Sequence, residues 1–158
     1  MTKKLNLIFS FFLLAAAVLW SFYGKMPQKI KKSVPKTEFS TIRAFEHVKA
    51  LARQPHYVGS KAHSRTRNYI VSQLQKMGLL VQTQEGYSLN KYGIIARPQN
   101  ILTRIDGSGS GKALLLLSHY DSAVHSSYGA SDAGSGIATI LEGIRAFLAS
   151  GTKPTNDI

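Results

Sequence analysis

Residues 5–23 read LNLIFSFFLLAAAVLWSFY, a run of 19 residues without a charged side chain. No other feature restricts the chain as strongly. A bilayer core takes roughly 20 apolar residues as a helix. Trp20 and Tyr23 sit at one end of the run, where amphipathic rings favour the membrane interface. Lys3 and Lys4 form a basic start. A cleaved signal peptide has a shorter apolar centre, about 7–15 residues, followed by small residues at a cleavage site. Ala15, Ala16 and Ala17 offer such a site, but apolar residues continue past them. A retained transmembrane signal anchor is therefore expected.

The flanking lysines bear on orientation. Two precede the run; Lys25, Lys29, Lys31, Lys32 and Lys36 come after it. By the positive-inside rule this bias puts the C-terminal domain in the cytoplasm. An apolar segment so near the N-terminus, with a domain behind it, more often exports that domain. Both orientations stand at this point. Residues 24–38 read as a solvated basic linker, and the soluble domain is expected over 39–158.

Charge narrows the partner class. There are 20 Lys+Arg against 8 Asp+Glu, a net +12. Residues 1–54 hold +8 of it and residues 55–158 only +4. A nucleic-acid binder carries a basic stripe with aromatics on its folded part. None is seen, so a membrane partner is expected and a nucleic-acid partner is not. With no cysteine, a disulfide framework, a thiolate zinc ribbon and a Cys nucleophile are excluded.

In the soluble part, Ile42, Phe45, Val48, Leu51 and Ala52 recur at helical spacing, with Ser40 or Thr41 as cap. A second helix is expected over 64–77, with Ile70, Leu74 and Met77 inward and Gly78 closing it. Strands are expected over 79–83 and 100–105; residues 84–98 fit neither pattern. Residues 106–112, DGSGSGK, resemble a P-loop only superficially. That motif needs Gly at 106 and Ser or Thr at 113, where the chain has Asp106 and Ala113. A glycine-rich turn is the better reading.

Residues 113–117, ALLLL, predict a central strand buried on both faces. A last helix begins near Ala133, burying Ile137, Ile140, Leu141, Ile144, Phe147 and Leu148 and closed by Gly151. Its Glu142 is expected on the surface. This order of elements predicts an α/β domain, a mixed sheet covered by helices on both faces and preceded by one transmembrane helix. The apolar start at the end of the chain predicts that the domain is incomplete.

The chemistry lies in residues 118–138, SHYDSAVHSSYGASDAGSGIA. His119 follows the predicted central strand, at the end where open α/β sheets bind ligands. Asp121 is two residues on, on the same side of an extended chain. A carboxylate there can accept the second ring N–H of the histidine and strengthen the other nitrogen as a metal ligand. Asp132 precedes a helix, and Gly134 and Gly136 allow close packing at its start. Singly, His119 reads as a strand-end polar residue and Asp132 as a helix cap. Together, around one glycine-rich loop, the three point to a metal site. His125 reads as an exposed loop histidine.

Here the chain resembles the co-catalytic di-zinc exopeptidases of metallopeptidase family twenty-eight, which includes membrane-anchored members. SHYDS followed by GASDAGSGIATILE carries the likeness, supported by RQPHYVGSKAHSRTRNYIVSQLQKMGL and by Asn100-Ile101-Leu102. It covers roughly residues 40–158. The resemblance implies a zinc exopeptidase-like fold and a zinc aminopeptidase, with two zinc ions per complete site. It implies His119 as a ligand of one zinc, Asp121 as its catalytic orienter and Asp132 as the carboxylate bridging both. Many relatives have an acidic residue or Asn after that aspartate; this chain has Ala133.

The resemblance also implies a glutamate general base, an adjacent glutamate ligand, and a later aspartate and histidine, none of which is in this chain. The 158 residues by themselves are thus expected to be inactive. The implied partners are a peptide or protein substrate with a free N-terminus, and the membrane. Membrane-tethered relatives imply a domain outside the cytoplasm: periplasmic, luminal or extracellular. Two other functions fit the fold: a non-catalytic membrane-anchored ectodomain that binds, and an aminoacyl cyclase with one zinc. No Gly-x-Ser-x-Gly or His-Glu-x-x-His occurs, which excludes those serine-hydrolase and zincin signatures here.

A membrane anchor has a direct consequence. The chain should stay with membranes through alkaline carbonate extraction, and deletion of residues 5–23 should release it, as read by immunoblot of the two fractions.

Overall fold

A computed structural model describes residues 2–26, 30, 33–89, 91–109, 111–125 and 127–158. Two compact units divide the chain, residues 1–30 and 31–158.

The first unit holds helix α1, Thr2–Tyr23. Within it Lys4–Tyr23 is long and apolar enough to cross a membrane, by length and composition. At 1.5 Å rise per residue, such a helix spans about 30 Å.

The second unit is a mixed α/β structure. Helix α2 is Thr41–Leu51, and Ser40 caps it by accepting from the Arg43 N–H at 3.3 Å. Its buried edge is Ala44 and Leu51; Ile42 and Phe45, expected inward, are exposed. Helix α3, Lys61–Lys76, begins three residues before the expected start. The reason is local: Ser60 accepts from the His63 N–H at 3.0 Å and caps the helix there. Gly78 takes φ +82 after it, and Leu79 N–H reaches back to Leu74 O at 3.2 Å, a closing bond that a left-handed residue makes possible.

Strand β1, Val81–Glu85, pairs antiparallel with β4, Gln99–Thr103, in the register Val81↔Thr103 to Glu85↔Gln99. Between them lies a short ladder, β2 (Ser88–Leu89) with β3 (Ile95–Ala96), inside the stretch whose pattern fitted neither helix nor strand. Helix α4 is Ser135–Ala149, entered through a kinked turn at Ala130–Gly134. The core joins Leu51 of α2, Ile70 and Leu74 of α3, and Ile137, Leu141 and Ile144 of α4. Ile101 and Val81 of the larger ladder pack against it.

Two expectations are corrected. Residues 113–117 form no ladder among the described residues, and Leu115 and Leu117 are 79% and 83% exposed. A strand's side chains are buried on both sides only where its sheet is covered on both faces. Here Leu114 N–H bonds Asp157 O at 2.8 Å, while Ile158 exchanges both backbone bonds with Ile105. Residues 157–158 therefore lie between Ile105 and Leu114, and among the described residues the rest of 113–117 has no backbone partner of this kind.

Glu142 is the second correction: it is fully buried, at 0% exposure. A buried carboxylate needs charged and hydrogen-bonded partners. It has Arg43 Nε at 2.9 Å, Arg145 Nε at 2.6 Å and Arg145 Nη2 at 2.9 Å, with the Ser40 N–H at 2.9 Å. Burial raises its pKa, but bonds from Arg145, the Ser40 amide and Arg43 outweigh this and leave it below the ordinary 4.5.

Removing one member of a buried ion network leaves the others unpaired. Glu142→Gln should cost about 3 kcal/mol in urea unfolding of the soluble unit. The sign of the pH effect comes from the depressed folded pKa. The Glu142 contribution is complete above pH 4.5 and is lost as pH falls through the lower folded value. Wild type should therefore lose more stability than Glu142→Gln on acidification across that window. A constant gap between the two would contradict the linkage.

Candidate metal centre

The site is built on an alternation. From Ser118 the chain runs extended, so successive side chains face opposite ways. Tyr120 and Ser122 face the body of the unit. The Tyr120 hydroxyl donates to Gln99 O of β4 at 2.7 Å, and its ring stacks on His63 of α3 with centroids 4.6 Å apart. Ser122 is buried; its Oγ accepts from the His56 N–H at 2.8 Å, and its own N–H donates to His56 O at 3.3 Å. His119 and Asp121 face the other way, with side chains 52% and 40% exposed.

Asp132 reaches the same place from the turn before α4. That turn is held tightly. Gly134 N–H donates to Gly129 O at 2.8 Å, and a Cβ on Gly134 would lie 2.6 Å from that oxygen. A Cβ on Gly136 would collide with Ser118 Oγ. Gly129 takes φ +62, and a Cβ there would stand 3.1 Å from His56 Cε1. The Asp132–Ala133 peptide is cis.

The three expected residues therefore meet. His119 Nε2 lies 2.9 Å from Asp132 Oδ1, and His119 Nδ1 lies 3.2 Å from Asp121 Oδ1 and from Asp121 O. Desolvation pulls the His119 pKa down, but the hydrogen bond to Asp132 and the Asp121 charge outweigh it and the pKa is raised. Burial holds His63 below its ordinary pKa, against the nearby Asp121 carboxylate. His125 is exposed in the loop.

A nitrogen and a carboxylate oxygen facing each other are donors suited to zinc. They are two, where a catalytic zinc takes three protein ligands. Among the described residues no group of three or more His, Cys, Asp and Glu side chains is placed to hold a metal ion. His119 and Asp132 thus fit a zinc site as part of its ligand set. Sequence reasoning missed the supports His56, His63, Tyr120 and Ser122. The Pro-His loop and the alternation around His119 were the signals for them.

Comparison with known proteins bears on this arrangement. The sequence profile of Peptidase family M28 matches residues 100–158, the stretch that holds His119, Asp121 and Asp132. This stretch is thus similar to peptidase family M28. A vacuolar membrane protease of Candida albicans is 37% identical over 105 residues, covering 63% of this chain and 12% of that protein. The vacuolar membrane protease of Candida dubliniensis is 35% identical over 121 residues, covering 68% and 12%. The chain thus spans about an eighth of the length of these relatives.

Among solved structures, a Zn-dependent exopeptidase from Parabacteroides distasonis superposes with TM-score 0.65 at 27% identity, over 80% of this chain and 46% of that one. A glutaminyl cyclase of Porphyromonas gingivalis gives TM-score 0.63 at 27% identity, over 68% and 39%. The α/β fold is thus like that of part of a Zn-dependent exopeptidase and of a glutaminyl cyclase.

Ser122→Ala should leave the buried His56 N–H without its side-chain acceptor. The expected cost is about 1–3 kcal/mol in thermal or urea unfolding. An unchanged midpoint would mean that the bond does not tie the site loop to the Pro-His loop.

Proposed function

We propose that this chain is part of a membrane-anchored, zinc-dependent aminopeptidase, to which it contributes the zinc ligands His119 and Asp132. The observation that carries the reading is the convergence of His119 Nε2 and Asp132 Oδ1 at 2.9 Å, with Asp121 behind the other ring nitrogen. The match of residues 100–158 to Peptidase family M28 and the likeness to a Zn-dependent exopeptidase support it.

The chemistry of each residue comes from its place. Asp121 Oδ1 accepts a hydrogen bond from His119 Nδ1–H, which would raise the basicity of the ring and leave Nε2, the nitrogen nearest Asp132, to bind a cation in place of its proton. Asp132 offers two oxygens on an exposed turn, one toward His119 and one free to serve a second cation. Tyr120 and Ser122 hold the segment so that His119 does not swing. Zinc, when bound, supplies an activated water and polarises the scissile carbonyl. The general base is a glutamate outside these residues; no two glutamates are adjacent anywhere in the 158.

The substrate on this reading is a peptide or protein with a free N-terminus. The domain faces the lumen or exterior, in line with relatives named vacuolar membrane proteases. A second reading, a glutaminyl cyclase, is favoured by the structural neighbours of that name. It predicts ring closure of an N-terminal glutamine with release of ammonia, and no hydrolysis of other aminoacyl groups.

The test uses the protein as its own gene expresses it, purified from membranes. Asp132→Ala should lower zinc content and abolish zinc-dependent hydrolysis of aminoacyl-nitroanilides. Asp121→Asn should lose about 10–100-fold in activity or metal affinity. The 158 residues alone should show no hydrolysis. Full zinc content and activity in Asp132→Ala would remove that residue from the site. Ammonia release without hydrolysis would replace the peptidase reading by the cyclase. Neither reaction, in protein that still folds, would leave a binding ectodomain.

A further inference from the structure

The stretch just before α2 is held by side chains from two helices. Arg43 of α2 donates from Nη1 to Val34 O at 3.3 Å, and from Nη2 to Pro35 O at 3.2 Å and Glu38 O at 2.8 Å. Arg145 of α4 donates from Nη1 to Lys36 O at 2.6 Å and from Nη2 to Glu38 O at 3.1 Å. Glu38 N–H closes a turn on Pro35 O at 3.1 Å, and Ser40 N–H bonds Glu142 at 2.9 Å. The backbone carbonyls of Val34, Pro35, Lys36 and Glu38 are thus all taken by guanidinium groups. Those two guanidinia are aimed by one fully buried carboxylate, Glu142. Linker carbonyls are ordinarily satisfied by water. Here a planar five-donor fork on each side replaces it, with little freedom left to the arginines once Glu142 holds their Nε.

We propose that residues 34–40 are a strap of the soluble unit, locked by the Arg43–Glu142–Arg145 network. The strap closes to trypsin-like proteases the bond after Lys36, the one basic residue of this segment.

The experiment is timed trypsin digestion of the full chain in lipid nanodiscs, with the Lys36–Thr37 bond followed by mass spectrometry. Trypsin needs that bond extended, and in the strap it lies in a turn. Cleavage at Lys36 should be at least about tenfold faster in Arg43→Gln/Arg145→Gln than in wild type. Amide exchange of wild type gives a reading that needs no variant: Ser40 N–H should be protected to the level of the α4 core amides. Wild-type cleavage at Lys36 as fast as in a free peptide of residues 24–40, or an unprotected Ser40 amide, overturns the strap.

Discussion

A carboxylate with no exposure to water has to be satisfied by the protein, and Glu142 shows how far that demand reaches. It sits on α4 and draws in Arg145 one turn on, Arg43 from α2 and the backbone of Ser40. Arg43 and Ser40 lie about a hundred residues away from it in the chain. The pairing fixes how α2 lies on α4, and the Leu51–Leu141 core is built in that setting. Buried ion networks of this kind contribute less to net stability than to choosing one arrangement among many. Here the arrangement chosen carries the start of α4 to where Asp132 meets His119.

The candidate metal centre depends on a second constraint, the fixing of an extended segment by its inward side chains. Tyr120 is held by β4 and α3, Ser122 by the Pro-His loop, and the residues alternating with them necessarily face out. The glycines complete it. A side chain at 134 or 136 would push the α4 turn away from Gly129 and Ser118, and Asp132 with it. The site thus joins three remote parts of the chain: residues 54–63, the ladder at Gln99, and the loop of 118–136. The two candidate ligands, His119 and Asp132, are exposed.

Much of this was legible in the sequence because it is local. A run without charges, a serine ahead of a helical pattern, Gly78 and Gly151 after one, and a His-x-Asp spacing each depend on a few neighbouring residues. Helix α4 kept its predicted inward face because six large apolar residues specify it redundantly. Helix α2 kept only part of its own. Leu51 is buried and Val48 and Ala52 are half-buried, but Ile42 and Phe45 are exposed, and Ala44, outside the predicted set, is buried. The stretch 84–98 hid a two-residue ladder too short for any period to show.

Residues 113–117 mark the boundary between the two kinds of information. Their composition is that of a buried strand, and composition determines that the segment favours burial. Whether it is buried depends on neighbours that no property of Leu114–Leu117 encodes. By itself the sequence determined the apolar helix, the helix caps and the α/β class, set by short-range chemistry and periodicity, and it marked His119, Asp121 and Asp132 as candidates. Only the tertiary structure decided that Glu142 lies inside, that residues 34–40 are strapped down, and that His119 and Asp132 stand 2.9 Å apart. Those outcomes come from charges and hydrogen-bond donors finding partners across long stretches of chain, and no local pattern records which partner that will be.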